Sequence, residues 1–139
     1  PENTLSCIVP DFILQPIVEN AIFYSLQKKQ VCHIVIRSYL DPDVHLTESN
    51  FQTRPRTLCI SVKDDGIGMD EDKLSTVLDK GMNMNKVGLR NVNERLKLNF
   101  GEEYGIRILS EEGVGTEVIL SMPVNMRGKN LDENTDSGR

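Results

Sequence analysis

With 139 residues, 38% of them hydrophobic and 27% charged, the chain has the size and apolar content of one globular domain, which excludes both a two-domain layout and wholesale disorder. Sixteen Lys and Arg against 21 Asp and Glu leave a net charge of −5, so a broad basic face for gripping nucleic acid is excluded and an acidic ligand must be held locally. No apolar run approaches the ~20 residues that cross a bilayer, and Pro1-Glu2-Asn3-Thr4 lacks the basic and apolar regions of a signal peptide, so the segment reads as soluble.

Pro10 to Leu26 reads as a helix, with Asp11 a candidate cap and Ile13, Ile17, Ala21 and Phe23 near helical spacing. Pro16 divides it into a short first turn and a longer second piece, because proline is best tolerated where a helix starts. Val31 to Leu40 alternates and is rich in β-branched residues, which predicts a strand. Asp41 to Pro55 is polar and without period, a loop. Thr57 to Asp64 is a second strand, with Leu58, Ile60 and Val62 on one face.

Asp65-Gly66-Ile67-Gly68 ends that strand in a turn, and Asp70-Glu71-Asp72 opens a short helix to Leu78, the three acids suiting its positive end. Asp79 to Val87 carries no period and reads as a mobile loop. Gly88 to Phe100 is a helix with Leu89, Val92, Leu96 and Phe100 on one stripe, stopped at Gly101. Gly105 to Ser110 and Gly115 to Met122 alternate as strands of a hairpin. From 124 to 139 the chain is polar, with too few apolar residues to pack. Without regular βαβ alternation, this order predicts an α+β class, with helices on one face of a largely antiparallel sheet.

Cys7, Cys32 and Cys59 are odd in number, widely spaced and free of any CxxC pair, which fits a reducing compartment and no disulfide framework. Cys32 and Cys59 fall inside β-like runs and read as small packed residues. His33 has no second Cys or His at zinc spacing, and His45 lies in a polar loop. No Ser/His/Asp or Cys/His arrangement is legible, so nucleophilic hydrolysis has no support.

Three places can carry chemistry. Asp64-Asp65-Gly66-Ile67-Gly68 puts a carboxylate at a strand end, followed by glycines that let a flat ligand approach the backbone; an ordinary Asp-Gly turn has the same spelling. It is not a dinucleotide fingerprint, because the third glycine of GxGxxG would fall at Glu71, and no GxxxxGK[ST] loop is present. Gly88 opens a helix whose first amides can hold phosphate without net positive charge, or it is a simple hinge. Glu19-Asn20 sits in an apolar helix, where an acid and an amide need a ligand, an ion or solvent.

Together these pieces resemble the GHKL nucleotide-binding fold of histidine kinases, and more closely the LytS/YesM-like sensor kinases. Leu14-Gln15-Pro16-Ile17-Val18-Glu19-Asn20-Ala21 is similar to their N box, Val62-Lys63-Asp64-Asp65-Gly66-Ile67-Gly68-Met69 to the first glycine box, Val87-Gly88-Leu89-Arg90-Asn91-Val92-Asn93-Glu94-Arg95-Leu96 to the second box and its helix, and Gly113-Val114-Gly115-Thr116 to the closing Gly-x-Gly-Thr turn. The match runs from about Ile8 to Pro123. The resemblance implies a two-layer α/β sandwich over 1–123 with a polar tail, binding ATP and Mg²⁺ beneath a lid at Asp79 to Val87.

In that family Asn20 would hold Mg²⁺, with Glu19 orienting groups near it, and Asp64 would accept from the adenine amino group. Gly66, Gly68 and Met69 would let the base lie close, Thr116 would support Asp64 and the purine edge through water, and Gly88, Leu89 and Lys86 would meet the phosphates. Lys86 stands where the second box usually has a glycine. It would narrow the lid's backbone freedom or meet the terminal phosphate as a point charge. Phe23 stands where many relatives carry a basic residue, and Tyr24 and Ser25 where close relatives have His and Gly.

Hydrolytic relatives carry a Glu four residues before the metal-binding Asn. Pro16 stands there and cannot act as a general base. The resemblance therefore implies a protein histidine kinase, with positioning and charge neutralisation carrying phosphoryl transfer. The acceptor histidine would lie on an N-terminal dimerisation helix outside this chain, so the chain alone would bind ATP without phosphorylating itself. The parent would be a membrane-anchored homodimeric sensor with this domain in the cytoplasm and a response regulator as partner. A regulatory module with weakened transfer, and an anti-sigma-type serine kinase of the same fold, are the alternatives.

Overall fold

The computed structural model describes residues 4–27, 31–41, 56–75, 77 and 87–125. The loop at 42–55 with His45, the lid at 79–86 with Lys86, and the tail from 126 lie outside the described residues.

Strand β2 (Thr57–Asp64) occupies the span its alternation predicts. It pairs antiparallel with β1 (Ile34–Asp41) on one side and with β4 (Gly115–Pro123) on the other, and β3 (Gly105–Glu111) pairs with β4, giving the order β1-β2-β4-β3. Every described pairing is antiparallel. The alternation from Val31 puts Val31, Cys32 and His33 in β1, yet the strand starts at Ile34. The register explains this: Ile34 faces Asp64, the last residue of β2, and β2 ends there in the Asp65-Gly66 turn, so residues 31–33 have no ladder to join.

Helices α1 (Gln15–Leu26) and α3 (Val87–Phe100) cover one face of this sheet, with the short α2 (Glu71–Ser75) between them in sequence. Ile13, Ile17 and Ala21 from the first helical region and Leu89, Val92 and Leu96 from α3 meet Leu58, Ile60, Val62, Val118, Leu120 and Met122 in one core. The predicted stripe on α3 and the strand face are thus the two halves of a single apolar layer. Phe23 does not join it. Two residues past Ala21 it points about 200° around the helix, and it is 51% exposed, its ring edge-on to Tyr24 at 5.2 Å.

Asp11 does not cap α1. Phe12 adopts a left-handed backbone (φ 59°), which breaks any helix begun earlier, and α1 starts after Leu14 with Pro16 in its first turn and no side-chain cap. The Asp11 carbonyl instead accepts from the Arg95 guanidinium at 3.0 Å, tying the approach to α1 onto α3. Asp70 does cap α2: its carboxylate accepts from the Lys73 amide at 2.8 Å. Bonds from the Lys73 ammonium and then its amide hold the Asp70 carboxyl below the usual carboxylate range. Gly101 ends α3 as predicted, its amide bonded to the Lys97 carbonyl at 2.8 Å.

On the opposite sheet face Cys59 faces Tyr39 across the β1–β2 ladder and is 5% exposed. Burial pushes its thiol up, whereas Cys7 and Cys32 are half-buried. Because the thiolate is the reactive form, iodoacetamide at neutral pH is expected to label Cys7 and Cys32 in the native protein and Cys59 only on unfolding. Peptide mapping of the alkylated protein checks this, and equal labelling of all three would contradict it. No helix among the described residues is long and apolar enough to cross a membrane.

Candidate functional site

Asp64 ends β2 on the same face as Leu58, Ile60 and Val62, so the strand's period delivers a carboxylate into the layer between sheet and helices. It is only 6% exposed. A buried carboxylate needs donors, and the backbone supplies them. Its Oδ1 accepts from the Gly66 amide at 2.8 Å and from the Thr116 amide at 3.3 Å. The first bond comes from the turn after β2 and the second from the neighbouring strand, which fixes the orientation of the carboxylate.

The turn itself is clamped between two elements. At Gly66 a Cβ would lie 3.0 Å from the backbone of Tyr24 and Ser25, so the turn packs directly on the end of α1. Gly68 has φ 66°, and a Cβ there would fall 1.9 Å from the Glu111 carbonyl oxygen. The loop backbone therefore lies against the β3–β4 hairpin, where the Gly113 amide donates to the Ile67 carbonyl at 2.7 Å and the Met69 amide to Ser110 Oγ at 2.9 Å. Ser110 Oγ is also 2.8 Å from Thr116 Oγ1 and donates to the Gly115 carbonyl at 3.1 Å. Beside the turn, Asp65 accepts from both the His33 amide and the His33 ring, each at 3.0 Å.

A cleft of about 510 Å³, its open mouth included, lies over this arrangement. Ile17, Ala21, Val62, Val77, Leu89 and Val118 give it apolar walls, with Met69 and Gly68 along one side; Asn20, Tyr24, Asp64 and Thr116 supply its polar groups. An apolar slot with a few fixed polar groups is the general form of a small-molecule site.

Of the residues singled out in the sequence, Asn20, Asp64, Gly68, Met69, Leu89 and Thr116 converge on this cleft, and Gly66 braces Asp64 from behind. Thr116 supports Asp64 through its amide, while its hydroxyl is engaged by Ser110. Gly88, the second residue of α3, stands outside the cleft lining against Pro16, where a Cβ would sit 3.1 Å from the proline ring. Glu19 is exposed, and its carboxylate accepts from the Gln15 side-chain amide at 2.8 Å, so it faces away from the apolar layer. Lys86 lies outside the described residues. Val77 and Val118, which line the cleft, and Ser110 beside it carry no site signal in the sequence. Ser110 is legible only once the hairpin register sets it opposite Thr116. Among the described residues no group of three or more His, Cys, Asp or Glu gathers to hold a metal ion.

The family described as "Histidine kinase-, DNA gyrase B-, and HSP90-like ATPase" matches residues 10–126, nearly the whole of the described fold. The chain belongs to this family. Within it, the chain is 36% identical over 118 residues to the sensor histidine kinase YesM of Bacillus subtilis (strain 168), which covers 84% of this chain and 17% of that protein. It is 32% identical over 122 residues to the sensor histidine kinase YpdA of Escherichia coli (strain K12), covering 88% of this chain and 19% of that protein. To the sensor protein LytS of Bacillus anthracis it is 36% identical over 121 residues, covering 84% of this chain and 18% of that protein.

The chain thus spans less than a fifth of these relatives, 17% to 19% of their length. Among solved structures, the histidine kinase domain of the blue-light activated histidine kinase from Erythrobacter litoralis EL346 superposes with a TM-score of 0.55 at 19% identity, over 81% of this chain and 42% of that chain, a likeness of fold alone. The resemblance read from the four motifs, to the GHKL ATPase domain of LytS/YesM-like sensor histidine kinases, therefore holds, as does the α/β sandwich it implied. In this chain each of the four motifs sends at least one residue into the cleft: Asn20, Asp64 with Gly68 and Met69, Leu89, and Thr116.

Proposed function

We propose that this domain binds ATP with Mg²⁺ in the cleft and donates the γ-phosphoryl group to a histidine on an N-terminal phosphoacceptor and dimerisation domain of the same protein. The observation that carries the reading is the buried Asp64 carboxylate, locked by the Gly66 and Thr116 amides at the floor of an apolar slot. Such a group is held ready to accept from the exocyclic amine of adenine, with the purine faces against Ile17, Leu89 and Val118. Gly68 and Met69 border the base.

Asn20 reaches the same cleft from α1 and offers a neutral oxygen. With no protein cage among the described residues, the site suits Mg²⁺, which keeps waters and takes its charged ligands from phosphates. When bound, the ion would neutralise phosphate charge. The first amides of α3, from Gly88 and Leu89, and the Lys86 ammonium would meet the phosphates. Glu19 would act from the outer side of α1. Pro16, which packs beside Gly88, leaves no general base where hydrolytic relatives have one, which favours transfer over hydrolysis.

The catalytic domain is assigned to 1–123 and the polar tail to 124–139. The parent protein is read as a membrane-anchored homodimeric sensor, with this domain cytoplasmic and a response regulator as the next phosphoryl acceptor. Mixing the domain with γ-labelled ATP and a separately made acceptor-helix domain of the parent is the test. Label on histidine, retained in base and lost in acid, is expected. Nucleotide binding without such label would leave a regulatory module as the better reading.

A further inference from the structure

We infer that Ser110 is a positioning residue that sets purine selectivity through Thr116, by fixing which way the Thr116 hydroxyl proton points. The inference rests on the reading of the cleft as a purine site. Ser110 Oγ has three polar neighbours: the Met69 amide at 2.9 Å, the Gly115 carbonyl at 3.1 Å and Thr116 Oγ1 at 2.8 Å. A hydroxyl carries one proton and two lone pairs. The Met69 amide can only donate and the Gly115 carbonyl can only accept. One arrangement satisfies all three contacts: Ser110 gives its proton to Gly115, takes the Met69 proton on one lone pair, and takes the Thr116 proton on the other. If Ser110 donated to Thr116 instead, two oxygens without a proton would face each other at the Gly115 contact.

The consequence lies in the cleft, which Thr116 lines beside Asp64. With its proton committed to Ser110, Thr116 Oγ1 offers the cleft only lone pairs. It joins the Asp64 carboxylate as a second acceptor, whether it meets the base directly or through water. Two neighbouring acceptors suit a 6-amino purine and oppose a 6-oxo purine, whose oxygen would face them without a proton. The same hydroxyl holds the glycine turn to the hairpin through Met69, so one side chain couples loop position to base choice.

Ser110→Ala frees the Thr116 proton to turn into the cleft. Titration of ATP and ITP into the wild-type domain and the variant is the test. The ratio of the two affinities is expected to fall at least about fivefold in Ser110→Ala, the size of one reoriented hydrogen bond. Ser110→Thr, which keeps the hydroxyl, is expected to retain the wild-type ratio. Thr116→Val, which leaves the Met69 latch in place, is expected to lower the ratio as well, and Ser110→Ala added to it to change nothing more. Loss of both nucleotides in equal proportion, or an unchanged ratio in Ser110→Ala, overturns this inference alone and leaves the nucleotide site standing. A wild-type domain that binds neither nucleotide overturns the reading of the cleft and this inference with it.

Discussion

Asp64→Asn is expected to weaken ATP binding at least about 100-fold while leaving the domain folded. The carboxylate Oδ1 accepts from the Gly66 and Thr116 amides, and an asparagine oxygen can keep both bonds. The turn and the β2–β4 contact should therefore survive. What changes is the other end of the side chain, where a donor NH₂ would face the donor amine of adenine. A hydrogen bond to a charged group contributes about 1.5–3 kcal/mol and an unpaired buried donor costs about 1–3 kcal/mol more, which together give about two to four decades of affinity. Calorimetric titration with circular dichroism on the same sample separates binding from folding. An affinity within about threefold of wild type would mean that Asp64 is a structural brace and not the base acceptor.

Gly68→Ala is expected to have the largest effect on stability of any single methyl added to the loop. A left-handed backbone costs a non-glycine residue about 1–2 kcal/mol. The new Cβ would also lie 1.9 Å from the Glu111 carbonyl, a backbone atom that cannot swing away. Relieving that contact means separating loop from hairpin, at the expense of the Ile67–Gly113 and Met69–Ser110 hydrogen bonds, each contributing about 1 kcal/mol. A total of about 3–4 kcal/mol follows. Gly113→Ala is the matched control, because its φ is also left-handed at 77° but an added Cβ would meet no atom within 4 Å, so only the backbone cost of about 1–2 kcal/mol remains. Urea unfolding of the two variants measures the difference. Equal losses would show that the loop is not seated on the hairpin.

The parts of the fold legible in the sequence are those in which local pattern and tertiary burial agree. β2 and α3 show this, since the Leu58-Ile60-Val62 alternation and the Leu89-Val92-Leu96 stripe face each other across one core. The readings that failed are those decided by a neighbour. β1 starts at Ile34 because β2 stops at Asp64, and α1 starts at Gln15 because Phe12 takes a left-handed backbone that no composition rule signals. Phe23 is apolar at a near-helical position yet exposed, because the buried line of α1 runs through Ile17, Ala21 and Ser25.

For the site, each glycine and carboxylate was ambiguous alone. Asn20, Asp64 and Thr116 are distant in sequence and meet because α1 packs over β2, and β4 lies beside β2 in the sheet order. Ser110 carried no signal of its own. Its place opposite Thr116 comes from the hairpin register, and its contact with Met69 from the fold of the glycine turn.

Whether the α1–α3 cleft over Asp64 holds ATP is read out by following backbone amide resonances of the domain while ATP and Mg²⁺ are added. The amides of Gly66, Gly68, Met69 and Thr116 are expected to shift most, with those of Gly88 and Leu89 moving as the phosphates engage, and the outer sheet face around Tyr39 and Cys59 staying unchanged. Saturable shifts confined to another surface, or none at millimolar nucleotide, would contradict an ATP site in this cleft.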